Sequence, residues 1–121
     1  MCSCTQYSYA QSKESDVFVP IAKYLEGGNA NYLSAWFSEN IELQMLGEVH
    51  SCSRNQAKQI LKRFFIEYTP NSFDIIHKGG SYPITYAIGK LHGGGNIFKI
   101  TIFVRTTEKG NYIQQLSIEK E

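Results

Sequence analysis

Three histidines, His50, His77 and His92, are the side chains best suited to move a proton near neutral pH, and each falls in a segment that reads as β-strand. A histidine base works beside a carboxylate or hydroxyl partner, and Glu42 and Asp74 are the strand carboxylates available. Asp74 and His77 have opposite parity, so a regular strand points them to opposite faces. A curved sheet can still converge side chains from separate strands, and His77 or His92 with a tyrosine as electrophile is the acid–base set that such convergence would build.

His50 and Cys52 share a strand face at i, i+2, and a third ligand such as His77 would complete a zinc set. No CxxC or HxxxH spacing accompanies them, and a cysteine just before a helix cap reads as a small buried hydrophobe. Neither a metal nor a cofactor is expected. Cys2 and Cys4 lie in a polar leading segment without flanking ligands. The run Gly93-Gly94-Gly95 is followed by no lysine, serine or threonine and opens no helix, so it is a hairpin turn and not a phosphate cradle. Arg54, Lys58 and Lys62 recur every fourth residue on one helix face, which is a solvated face or a surface for an anionic partner.

Aromatic residues are the most informative surplus: Tyr24, Tyr32, Trp36, Phe64, Phe65, Tyr68, Tyr86 and Phe98 exceed what a minimal core needs. An apolar cavity rimmed by hydroxyls and amides is the usual form of a small-ligand site. Tyr24, Trp36, Phe64, Tyr86, Gln114 and Gln115 are the residues expected to line one for a small apolar ligand. The alternative is that the aromatics fill the interior completely.

With 121 residues and 42% apolar content, the chain buries enough surface to fold without a disulfide framework, and its three cysteines are an odd number. A net charge of +1 from scattered basic residues makes no field able to hold a nucleic-acid backbone or an anionic membrane surface. No apolar run approaches the roughly 18 residues of a membrane span.

The elements that must position these residues follow from spacing. Asp16 is the expected N-cap of a first helix carrying Val17, Phe18, Ile21, Ala22 and Leu25 and stopped by Gly27-Gly28, with Pro20 in its first turn. Asn29 opens a short helix through Tyr32, Leu33 and Trp36, closed by Ser38-Glu39-Asn40. Strands are expected over Ile41 to Leu46 and Val49 to Cys52, turned at Gly47-Glu48. Ser53 and Gln56 make a capping box for a third helix with Ala57, Ile60, Leu61, Phe64 and Tyr68 on its apolar stripe, ended by Pro70. From Ser72 onward, Gly79-Gly80, Gly93 to Asn96 and Lys109 to Asn111 punctuate four antiparallel strands. The sum is an α+β fold, three helices packed on one curved, mainly antiparallel sheet of six strands. It occupies residues 15–121, with residues 1–14 as a disordered tail or leader remnant.

The stretches "YLEGGNANYLSAWFSENIELQML", "CSRNQAKQILKRFF", "YAIGKL" and "IQQLSIEK" resemble a Bacteroidetes domain-of-unknown-function family within the nuclear transport factor 2 like superfamily, over about residues 15 to 120. The resemblance implies the cone-shaped fold of that superfamily, sheet-to-sheet homodimers, and an exported or periplasmic location. Ser8-Tyr9-Ala10 has the small-x-small look of a leader cleavage site. Superfamily enzymes such as ketosteroid isomerase place a carboxylate base at the end of the first strand and a tyrosine on the first helix. Here the strand ends Gln44-Met45-Leu46, and the tyrosine position falls on or near Ile21, with Tyr24 almost one turn later. Isomerase chemistry of that kind is not implied.

The fifth strand alternates sharply: Phe98, Ile100, Ile102 and Val104 form the face that helices must cover, while Ile97, Lys99, Thr101, Phe103 and Arg105 point outward. In the sixth strand a two-residue turn would place Leu116 and Ile118 outside with Phe103, and a three-residue loop would leave Ile113 there instead. Either arrangement leaves apolar surface for a homodimer through the outer sheet face at Phe103. The expected function is therefore a non-catalytic small-ligand-binding or protein-interaction domain. The rival is a small lyase, isomerase or hydrolase using a histidine and a tyrosine.

Overall fold

The computed structural model describes residues 16–121, so what is expected of Cys2, Cys4, Ser8-Tyr9-Ala10 and the tail lies outside the described residues. Helix α1 spans Phe18–Glu26 and buries Phe18, Ile21 and Leu25. Asp16 stands one residue before the N-cap position, which Val17 occupies without a side-chain cap. The carboxylate of Asp16 instead accepts from the Phe18 N–H at 3.2 Å and from Lys78 Nζ at 2.9 Å, tying the helix start to a strand.

Helix α2, Ala30–Ser34, is capped by Asn29, whose side chain accepts from the Tyr32 N–H at 3.1 Å. It ends before Trp36, and Ser38, Glu39 and Asn40, expected to close it, already belong to strand β1, Phe37–Met45. Strand β2 spans Glu48–Ser53. Helix α3, Arg54–Glu67, starts at the Ser53–Gln56 capping box, with both reciprocal hydrogen bonds formed at 3.2 and 2.9 Å. Its buried side chains are Ala57, Leu61, Phe64 and Phe65, with Ile60 and Tyr68 packed at the margin.

Strands β3, Pro70–Ser81, β4, Ile84–Gly93, β5, Asn96–Thr107, and β6, Gly110–Lys120, form the meander. The sheet order is β2-β1-β6-β5-β4-β3, antiparallel throughout except that β1 runs parallel to β6. The architecture is thus α+β with a mixed six-strand sheet. Helix α1 packs on β3 and β4, and α3 on β1 and β2. No helix among the described residues is long and apolar enough to cross a membrane.

Two details of the meander depart from the expected punctuation. Gly79-Gly80 lies inside β3, and the turn to β4 is Tyr82-Pro83. A Cβ on Gly79 would sit 2.6 Å from the Tyr86 hydroxyl, so this glycine serves a close cross-strand approach instead of a turn. At the other hairpin, Thr107 faces Gly110 across a two-residue turn, yet Leu116 and Ile118 are fully buried. A bulge reconciles these facts: Val104 pairs with Ile113 but Phe103 pairs with Gln115, leaving Gln114 as the extra residue. The bulge shifts parity once, so Ile113, Leu116 and Ile118 all reach the core beside Phe98, Ile100, Ile102 and Val104. Neither sequence-level alternative for β6 holds, and Phe103 has no aliphatic companions from that strand.

Candidate functional site

Register places one continuous row across the outer face of the sheet. Gly79 of β3 faces Tyr86 of β4, Tyr86 faces Phe103 of β5, Phe103 faces Gln115 of β6, and Gln115 faces Glu42 of β1. Directly opposed residues share a face, so these side chains stand together away from the helices. The Tyr86 and Phe103 rings are tilted against each other with centroids 5.6 Å apart. On its other side Tyr86 meets His77, whose Nε2 lies 3.1 Å from the tyrosine hydroxyl.

At the β6 end of this row the surface sinks into a depression of about 540 Å³. Phe103 and Ile84 form its apolar part, and Ser38, Asn40, Glu42, Gln114 and Gln115 its polar part. The bulge is what turns Gln114 toward it, a re-aiming of one side chain that regular pairing would not allow. Glu42 is held from behind: Gln44 Nε2 donates to Glu42 Oε2 at 3.4 Å, and Ser117 Oγ donates to Gln44 Oε1 at 3.2 Å. Ser117 is only 5% exposed, so the ladder is anchored in the protein.

A family model described as Domain of unknown function (DUF4783) matches residues 18–119. The chain belongs to the DUF4783 family. Among solved structures it is similar to a DUF4783 family protein from Bacteroides uniformis, with a TM-score of 0.83, 21% identity, and coverage of 88% of this chain and 98% of that one. A second member, from Bacteroides fragilis, gives a TM-score of 0.79 at 25% identity, covering 84% and 95%. An NTF-2 like protein of unknown function from Silicibacter pomeroyi gives 0.65 at 14% identity, covering 92% and 98%. The last of these likenesses shows a fold shared with an NTF-2 like protein. No curated protein matches.

The six residues expected to line a ligand site divide across the DUF4783 sheet. Gln114 and Gln115 line the depression, and Tyr86 adjoins it through Phe103. Tyr24, Trp36 and Phe64 stand on the helix side. Tyr24 makes an edge contact with Tyr32 at 5.5 Å, Trp36 packs on the core, and Phe64 is buried among Phe65, Tyr68 and Phe98. Ile21, on or near which the helix tyrosine of superfamily enzymes is expected to fall, is fully buried.

Asp74 and His77 share the outer face, contrary to the parity expectation. Asp74 faces Lys90 and His77 faces Ile88, two residues apart on β4, because a second bulge interrupts β3 between Ile75 and His77. His50 and Cys52 face Leu43 and Ile41 on the core side of β2. They lie at the opposite sheet edge from His77, about 24 Å away at the usual strand spacing, so those three do not converge. Burial raises the Cys52 thiol above its ordinary value. Arg54, first of the basic line, turns its Nε back to the Phe37 carbonyl at 3.1 Å.

Ser38, Asn40 and Ile84 were not anticipated as site residues. A signal existed for Asn40 alone: Asn40, Glu42 and Gln44 alternate with Ile41, Leu43 and Met45, as a half-buried strand requires.

Proposed function

We propose that this DUF4783 domain is a non-catalytic binding domain that works through the outer face of its sheet, where it pairs with a second copy of itself. The observation behind this reading is the half-buried aromatic row Tyr86–Phe103, flanked by Ile84 and Ile88, on a face that no helix among the described residues covers. Six strands at normal spacing span about 24 Å, and eight residues along them about 27 Å, a projected area of about 650 Å². Accessible surface exceeds that projection, so the face approaches the roughly 800 Å² per partner of a stable interface. The helices would then close the concave side of a curved sheet, and recognition falls to its outer side.

Sedimentation equilibrium tests the pairing. Wild-type protein should sediment at about twice the chain mass at micromolar concentration, and Phe103→Lys should be a folded monomer, since a cation cannot be buried unpaired in the contact. A wild-type monomer at high micromolar concentration would overturn the reading.

The acid–base reading has one observation in its favour, the 3.1 Å contact between His77 and Tyr86. His77 is exposed, however, and nothing among the described residues excludes water from a group reacting at the pair. A binding role therefore accounts for more of the site.

A further inference from the structure

The depression beside Phe103 combines groups that pairing with a second copy does not require. We propose that it binds a neutral pyranose sugar. Three primary amides, Asn40, Gln114 and Gln115, surround it together with the Glu42 carboxylate. Each amide both donates and accepts, and a carboxylate accepts from two directions, which matches the mixed donor and acceptor character of adjacent sugar hydroxyls. The Phe103 ring supplies what polar groups cannot, a flat apolar surface for the C–H face of a pyranose. A volume of about 540 Å³ lies within the range of about 300–1,000 Å³ usual for small-molecule sites.

Charge favours a neutral ligand over a cation or an anion. Among the described residues Glu42 is the one ionised group in the lining, and Arg105 stands on the same face of β5, about 7 Å beyond Phe103 at the strand rise, offsetting it. Preorganisation points the same way. Glu42 is oriented through Gln44 by the buried Ser117, so a ligand meets a carboxylate already held in place. The inference rests on the outer face being the working surface but not on self-association: a second copy on the aromatic row would cover Phe103, so glycoside and second copy compete for the same face.

The test is a titration of the ¹⁵N-labelled full chain with the methyl glycosides of glucose, galactose and mannose, with arginine methyl ester as a cationic probe. At least one glycoside should shift the side-chain amide signals of Gln114 and Gln115 and saturate at millimolar concentration, about the affinity of an open polar site. Gln115→Ala should weaken that binding by about 2- to 12-fold, the factor one neutral hydrogen bond contributes. Phe103→Leu keeps the apolar volume and should abolish the response, and Asn40→Ala, in the depression but outside the aromatic row, should weaken it by about the same 2- to 12-fold at unchanged sedimentation mass, which separates this proposal from self-association. No shift with any glycoside up to about 100 mM would overturn it, since affinity that weak is no recognition. So would a stronger response to arginine methyl ester, or glycoside binding that none of the three variants alters.

Discussion

Phe64 carries the aromatic cluster on the helix side: at 5% exposure it touches Phe65, Tyr68 and Phe98 at ring separations of 5.0 to 5.7 Å. Phe64→Ala should therefore cost about 3–5 kcal/mol in chemical denaturation, because the neighbours are fixed on helix and sheet and cannot collapse into the void. Ser53→Ala, which removes the capping-box acceptor, should cost about 1 kcal/mol. A loss below about 1 kcal/mol for Phe64→Ala would mean that the cluster is not packed as described. Both residues are legible from spacing alone, since a helix stripe and a cap are local patterns. Gly79 is not, because its reason is the Tyr86 ring on another strand.

Among the elements, helices and the β5 alternation follow from sequence while the bulges do not. A bulge is settled by competition between strands: in β6 a two-residue turn demands one parity, Leu116 and Ile118 demand the other, and Gln114 absorbs the difference. The same holds in β3, where the irregularity between Ile75 and His77 brings Asp74 and His77 to one face. The start of β1 was missed because Ser38-Glu39-Asn40 reads locally as a polar stop, and only its place between β2 and β6 makes it strand. These details decide which side chains share the outer face, so the candidate site was far less legible than the fold. A deletion and an insertion test the account. Removing Gln114 leaves Ile113 opposite Val104 and Gln115 opposite Phe103, so thermal unfolding should remain cooperative. Inserting alanine after Gln115 turns Leu116 and Ile118 outward, at about 2–5 kcal/mol for each apolar side chain lost from the core, and should abolish cooperative unfolding. Equal stability of the two variants would show that Gln114 is not the bulge residue.

For the whole molecule, the division of labour between the two sheet faces is the central claim: the helix side is packed core, and the outer side is the contact surface. Hydroxyl-radical labelling read by mass spectrometry reports side-chain accessibility directly and can be run across concentration. Tyr86 and Phe103 should lose reactivity as the protein is raised from nanomolar to high micromolar concentration, over the range in which a micromolar dimer forms. Tyr82, 78% exposed in the β3–β4 turn, and Tyr32, 61% exposed on the helix side, should remain reactive throughout. Unchanged labelling of Tyr86 and Phe103, or protection of Tyr32 in their place, would contradict the account.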